Sequence, residues 1–222
     1  ARFKYPRGIT TDGTNLYVAD ADNHMIRKIV ISTGAVSTFA GYPGSWGSTN
    51  GTGTSARFLY PGAITGYGSY LYVADTHNHT IRKIVISTGA VTTIAGSAGS
   101  SGSTDATGTS ARFKYPVGIT TDGTNLYVAD TDNHRIRKIV ISSGAVTTIA
   151  GSGSSGFQDG AGTSAKFSSP REISTDGTNL YVADKGNHKI RKVVIATGFV
   201  TTLAGSSSGS TDATGTSAKF SN

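Results

Sequence analysis

The sequence predicts an all-β chain: a β-propeller built of four-stranded antiparallel blades, four in this chain. Three observations predict it. The segment 126–151 recurs in near-copies that start at Leu16, Leu71 and Leu180. Its landmark histidines, His24, His79, His134 and His188, repeat at about 55 residues, in the range of propellers and solenoids. The runs inside each copy are short and β-branched, with apolar residues on both faces of the sheet they would form. Such sheets cover one another when stacked around an axis, which leaves only short edges.

The third copy shows each element in order. Gly118-Ile-Thr-Thr opens a first strand, and Asp122-Gly-Thr-Asn between two β-type runs is a hairpin signal. Residues 126–129 make the second strand, and Asp130-Thr-Asp-Asn is a polar turn. The third strand, 135–142, is dense in β-branched residues: Ile136, Ile139, Val140 and Ile141. Ser143-Gly144 turns the chain, with glycine supplying the positive φ of a tight hairpin. Residues 145–150 form the fourth strand. Helix is excluded by the short runs, the stiff Val, Ile and Thr side chains and the glycine interruptions. Burying a Val or Ile contributes about 1.5–3 kcal/mol. Most of that is gained only on stacking, so an isolated copy should be unstable.

The chain therefore reads as a single array over 1–222. Its blades lie at about 7–41, 62–96, 117–151 and 171–205, joined by spacers rich in Gly, Ser and Thr. The first spacer carries the only tryptophan, Trp46, in a context expected to be exposed. Blade two has Thr65-Gly-Tyr-Gly-Ser-Tyr where the others have Thr-Asp-Gly-Thr-Asn, so its inner hairpin is altered. A lead-in of Ala-(Arg/Lys)-Phe precedes each blade and recurs in the tail at Ala218-Lys-Phe220. This fifth copy reads as a cut from a longer array, or as an end that joins a second copy. Blades one and three share thirteen residues unchanged from Gly8 and Gly118 onward, which indicates recent duplication, amplification or design.

Cysteine is absent, which excludes disulfides and thiolate chemistry. No apolar run approaches the roughly 18 residues of a membrane span, and no signal peptide is visible. Net charge is +7, with a single glutamate, Glu172. The basic excess recurs as Arg27-Lys28, Arg82-Lys83, Arg137-Lys138 and Arg191-Lys192, which a propeller would arrange as a ring.

Each unit carries Tyr-Val-Ala-Asp-x-x-Asn-His-x-Ile-Arg-Lys, then Val-(Thr/Ser)-Thr-(Ile/Phe/Leu)-Ala-Gly, then a Gly-rich loop to Ala-(Arg/Lys)-Phe. This resembles the NHL-repeat β-propellers over nearly the whole chain. The resemblance implies one blade per unit, with the first strand lining the central channel and the fourth at the rim. It also implies a ring of about six blades, more than the four present.

The recurring polar sets are Asp20/His24/Arg27, Asp75/His79/Arg82, Asp130/His134/Arg137 and Asp184/His188/Arg191. Histidine is chemically suited to general-base work. A set copied into every unit is better explained as structural, satisfying turn groups and pairing charge between strands. Metal ligation is not expected. The Asp-x-Asp-Asn turns lack the glycine and glutamate of a calcium loop, and His77 and His79 have no evident third ligand. No cofactor motif is present: the spacers lack the Gly-Lys-Ser/Thr ending of a phosphate loop. Positions that vary while the frame repeats are the candidates for recognition. Those after the lead-in proline include Arg7, Val117, Arg171 and Glu172, which the resemblance places at the channel mouth. A second varying set precedes Asn-His.

The expected function is a non-enzymatic scaffold or module that binds a protein or small ligand, from a parent at a bacterial surface or among its secreted proteins. The expected partner is a second copy, giving a homodimeric ring of eight blades. Its contact faces should include Ile26, Ile29, Val193 and Ile195, exposed on an unclosed arc. The alternative is an RNA-binding propeller that uses the basic ring, with Phe3/Tyr5, Phe58/Tyr60 and Phe113/Tyr115 for stacking. A lyase or hydrolase of the kind seen on related propellers is a third, weaker reading.

Overall fold

A computed structural model describes residues 2–221. Blade one consists of β1 (Pro6–Thr11), β2 (Asn15–Asp20), β3 (Met25–Val30) and β4 (Val36–Ala40). The short strand β5 (Gly51–Thr52) lies in the first spacer. Blade two follows as β6 (Pro61–Tyr67), β7 (Tyr70–Asp75), β8 (Thr80–Val85) and β9 (Ala90–Gly96). Blade three is β10 (Pro116–Thr121), β11 (Asn125–Asp130), β12 (Arg135–Val140) and β13 (Val146–Ala150). Blade four is β14 (Pro170–Thr175), β15 (Asn179–Asp184), β16 (Lys189–Val194) and β17 (Val200–Ala204). All four are antiparallel meanders, and β5 adds a fifth strand to the rim of blade two. The chain is thus an all-β propeller array of four blades.

The predicted hairpins form for the expected reasons. Asp122 Oδ1 accepts from the amides of Thr124 and Asn125, and its other oxygen accepts from the Tyr127 hydroxyl. Asp12 and Asp176 repeat this. Blade two turns instead through Gly68-Ser69, with Tyr67 opposite Tyr70. The polar turn between second and third strands is one turn of 3₁₀ helix, Thr131–Asn133 in blade three. It ends on His134 in the left-handed region, φ 54°. The three other landmark histidines do the same. That conformation is uncommon outside glycine, but histidine, like asparagine and aspartate, adopts it more readily than most residues, and it releases the chain into the next strand.

The core is a series of layers between blades. Tyr17, Ala19 and Ile26 of blade one meet Ile64, Leu71, Val73 and Ile84 of blade two around Phe58. Equivalent layers form around Phe113 and Phe167. The lead-in phenylalanine is therefore the plug of each layer. Near the axis the inner strands approach so closely that a Cβ on Gly118 would meet the Arg171 carbonyl and the Glu172 Cα. Among the described residues, no such cluster joins blade four to blade one.

The ends of the arc differ from expectation in detail. Ile26 and Val193 are buried, because alternation turns them toward blades two and three. The uncovered face of blade one instead carries Ile9 at 57 % and Ile31 at 50 % exposure, with half-buried Leu16, Ile29 and Val36. The uncovered face of blade four carries Leu203 at 49 %, Phe220 at 39 %, and half-buried Tyr181, Ala183 and Ile190. Trp46 is exposed, as its context predicts.

Candidate functional site

Two constructions recur on this frame: a buried ionic set inside each blade and an open channel mouth between blades. The buried set starts at the last residue of each second strand. Asp130 Oδ2 accepts from Asn133 at 2.8 Å and from Arg137 Nη1 at 2.7 Å, while Oδ1 accepts from the Lys114 amide at 2.8 Å. Asp75 and Asp184 repeat these bonds with Arg82 and Arg191. Each of these three arginines also spans to the preceding spacer. Arg137 Nη2 reaches Asp105 at 2.6 Å, Arg191 Nη2 reaches Asp159 at 2.6 Å, and Arg82 Nη2 reaches the Asn50 side-chain oxygen at 2.9 Å. The guanidinium stacks on the lead-in ring, as Arg137 does 5.0 Å from Phe113.

Burial pushes Asp75 and Asp130 up to about 6, opposed by Arg82 and Arg137 and by the donated hydrogen bonds. Burial likewise raises Asp184. Each pair has the geometry of a buried ion pair, 2.8 Å for Asp75–Arg82 and 2.7 Å for Asp130–Arg137, with three donors on each carboxylate. Blade one is looser: Arg27 lies 3.4 Å from Asp20 and 3.3 Å from the Arg2 carbonyl.

Histidine is not in this set. His24 Nδ1 accepts from the Tyr60 amide at 3.2 Å, His79 Nδ1 from Tyr115 at 3.1 Å, and His134 Nδ1 from Ser169 at 3.0 Å. Each histidine therefore ties its blade to the lead-in of the next one. Among the described residues, Nδ1 of His188 has no such partner. Burial lowers His24 and His79 from the ordinary histidine range.

The varying residues behave differently. Arg7, Val117, Arg171 and Glu172 converge on one hollow of about 420 Å³ at the channel mouth. A neighbouring hollow of about 370 Å³ adds His77, Tyr115, Asp132 and Lys185 to Arg7, Val117 and Arg171. Burial raises Glu172, while Arg171 and Arg7 pull it down. Rings meet in a row beside the mouth: His24–Tyr60 and His77–Tyr115 edge-to-face and Tyr60–His77 tilted, with centroids 4.5, 5.1 and 4.6 Å apart respectively. His77, Asp132 and Lys185 belong to the second varying set of the sequence. The spacer groups Asn50, Asp105 and Asp159 are functional residues that the sequence reasoning misses. Their signal is an Asn or Asp eight residues before each lead-in phenylalanine. Among the described residues, no three His, Asp or Glu side chains gather as a metal-ligating group.

The NHL repeat family matches residues 113–139, and the LVIVD repeat family matches 63–81. Human NHL repeat-containing protein 2 is 30 % identical over 91 % of this chain and 33 % of its own length. The chloroplastic protein suppressor of quenching 1 of Arabidopsis thaliana is 29 % identical over 80 % of this chain and 18 % of its own. The chain thus spans a third or less of these curated relatives. Among solved structures, a Bacteroides thetaiotaomicron protein of unknown function superposes with a TM-score of 0.68 at 25 % identity, over 84 % of this chain and 46 % of its own. An auxiliary nutrient binding protein from Bacteroides ovatus gives 0.67 at 21 %, over 91 % and 49 %. A streptogramin B lyase gives 0.63 at 14 %, over 91 % and 55 %. With its four motif copies each folded as one four-stranded blade, the chain belongs to the NHL-repeat β-propellers.

Proposed function

We propose that the chain is a non-enzymatic binding scaffold that offers its channel mouth to a small anionic ligand. The carrying observation is the division of labour between the two constructions. The repeated Asp and Arg groups are spent inside the blades, and the varying residues meet in the hollows. Arg7, Arg171 and Lys185 outnumber Glu172 and Asp132 there. Tyr115 and His77 offer faces to an organic ligand. The test is calorimetric titration with inorganic phosphate, citrate and glucuronate. Binding of at least one, lost in both Arg7→Ala and Arg171→Ala, is the expected result. No heat from any of the three, or binding unaffected by the substitutions, would count against the reading.

The same proposal includes a second copy that closes the ring to eight blades. By repeat symmetry the open face of blade four matches the faces already packed on blades two, three and four. An uncovered apolar face of this kind favours association, and a head-to-tail contact that closes is a normal cyclic oligomer. The arc overlays about half of two of the solved chains above, which supports a ring of roughly twice this length. Light scattering should give about twice 22.7 kDa at micromolar concentration. A monomer would sink this part and point to four blades closing alone.

RNA binding is a second reading, favoured by the row of aromatic rings beside a cationic mouth. It has lost part of its basis, since Arg82, Arg137 and Arg191 are fully buried. Filter retention of single-stranded RNA that falls steeply with salt would support it.

A further inference from the structure

We infer that the tail of one copy seals the seam between two copies, displacing the first residues of the other from the inter-blade slot. This rests on the two-copy ring proposed above and assigns the contacts that hold it.

The slot is defined by its three filled examples. In each, a spacer leaves one blade, adds backbone pairing to the rim of the next, and ends in the phenylalanine plug. Gly51 pairs with Val91, the Val146 amide donates to Ala106, and the Val200 amide donates to Gly160. The adjoining side chain, Asn50, Asp105 or Asp159, holds the next blade's arginine. Asp105 and Asp159 also accept from the amide and hydroxyl of Thr148 and Thr202.

Both halves of a fourth example exist, uncombined. Among the described residues, Arg27 of blade one has no spacer carboxylate, and no spacer residue pairs with Val36 or Thr38. The tail is already folded like the three spacers. The Lys219 amide donates to Thr211 at 3.0 Å and the Gly209 amide to Phe220 at 3.1 Å, matching Arg112 to Thr104 and Gly102 to Phe113. Its Asp212 stands where Asp105 and Asp159 stand and has no counter-ion among the described residues. The tail therefore supplies Asp212 to Arg27 and Thr38, and the Ala213 backbone to Val36, of a second copy.

The phenylalanine place has two claimants. Phe3 is half-buried over Arg27, and among the described residues its segment brings Arg27 the Arg2 carbonyl and no side-chain acceptor. Phe220 is fixed to the tail that carries Asp212, and its ring already lies against Gly205 as Phe113 lies against Gly96. Phe220 therefore takes the slot and Phe3 leaves it. Lys4 stays, because its amide holds Asp20 at 2.7 Å. Tyr5, at the place of Tyr60 and Tyr115, then presents its amide to the vacant Nδ1 of the partner's histidine at position 188.

The test uses the full chain. Dimer dissociation is measured by sedimentation for Phe220→Ala, Asp212→Ala and Phe3→Ala. Phe220→Ala should weaken the dimer roughly a hundredfold or more, Asp212→Ala should also weaken it, and Phe3→Ala should leave it unchanged. The chain has no cysteine. The double variant Thr38→Cys with Asp212→Cys, treated with a short bis-maleimide, should therefore run at dimer mass, which a folding defect in Phe220→Ala would not mimic. A dimer weakened by Phe3→Ala but not by Phe220→Ala, or no cross-link in a dimer, overturns this inference and leaves the ring standing. A monomeric wild type overturns both.

Discussion

Arg137 and Arg191 each sit between two carboxylates of unequal exposure, and this makes their contributions separable. Asp130 is fully buried against Arg137, while Asp105 on the same guanidinium is 45 % exposed. Asp130→Ala leaves a buried cation unpaired and should cost about 3–5 kcal/mol in chemical denaturation. Asp105→Ala should cost at most about 1 kcal/mol, because water replaces its lost partner. His24 and His79 give a pH signature. Burial lowers both below 6.5, and the amide proton that each accepts at Nδ1 also requires that nitrogen to be unprotonated. Below that value the unfolded chain takes up the proton first. Their contribution is then full above pH 6.5 and falls with acidification. Asp75 and Asp130, raised to about 6, act in the opposite sense over the same range, so the check is the difference in melting temperature between wild type and the double variant His24→Ala with His79→Ala from pH 7.5 to 5, which should shrink as the pH falls. The sequence placed these histidines in one set with Asp and Arg. It could not show their true partners, which lie 36 residues away across a blade boundary.

At the scale of the blade, strands and hairpins were legible because their causes are local. Alternation, β-branched runs and Asp-Gly turns each act within a few residues. The faces at the arc's ends were harder, since knowing which side of β3 meets blade two requires the stacking direction. Ile26 was placed outside for that reason and lies inside. The spacers were the larger omission. Their glycine and serine content reads as loop, although each adds pairing and a polar side chain to the next blade. Inner-strand packing offers a direct check. A Cβ on Gly118 would press on the Arg171 carbonyl and the Glu172 Cα. Gly118→Ala should therefore cost about 1–3 kcal/mol, the range of overpacking, measured by denaturant titration. Splaying blades three and four should also disturb the Val117–Arg171 hollow.

At the scale of the molecule, an arc with two uncovered faces gains stability from whatever covers them. If that cover is a second copy, the melting temperature should rise with protein concentration. A value constant from about 1 to 100 micromolar would speak for a monomer. The handover of each spacer to the next blade also gives the array a mechanical order. Pulled from its two ends, the chain passes the load through one spacer at a time, as a series of links. Rupture of one handover should release a single blade of about 55 residues, roughly 180–200 Å of extended chain at about 3.3–3.6 Å per residue. Force–extension curves should then show evenly spaced peaks rather than one collapse, with the end blades, each packed on one side only, yielding at the lowest force.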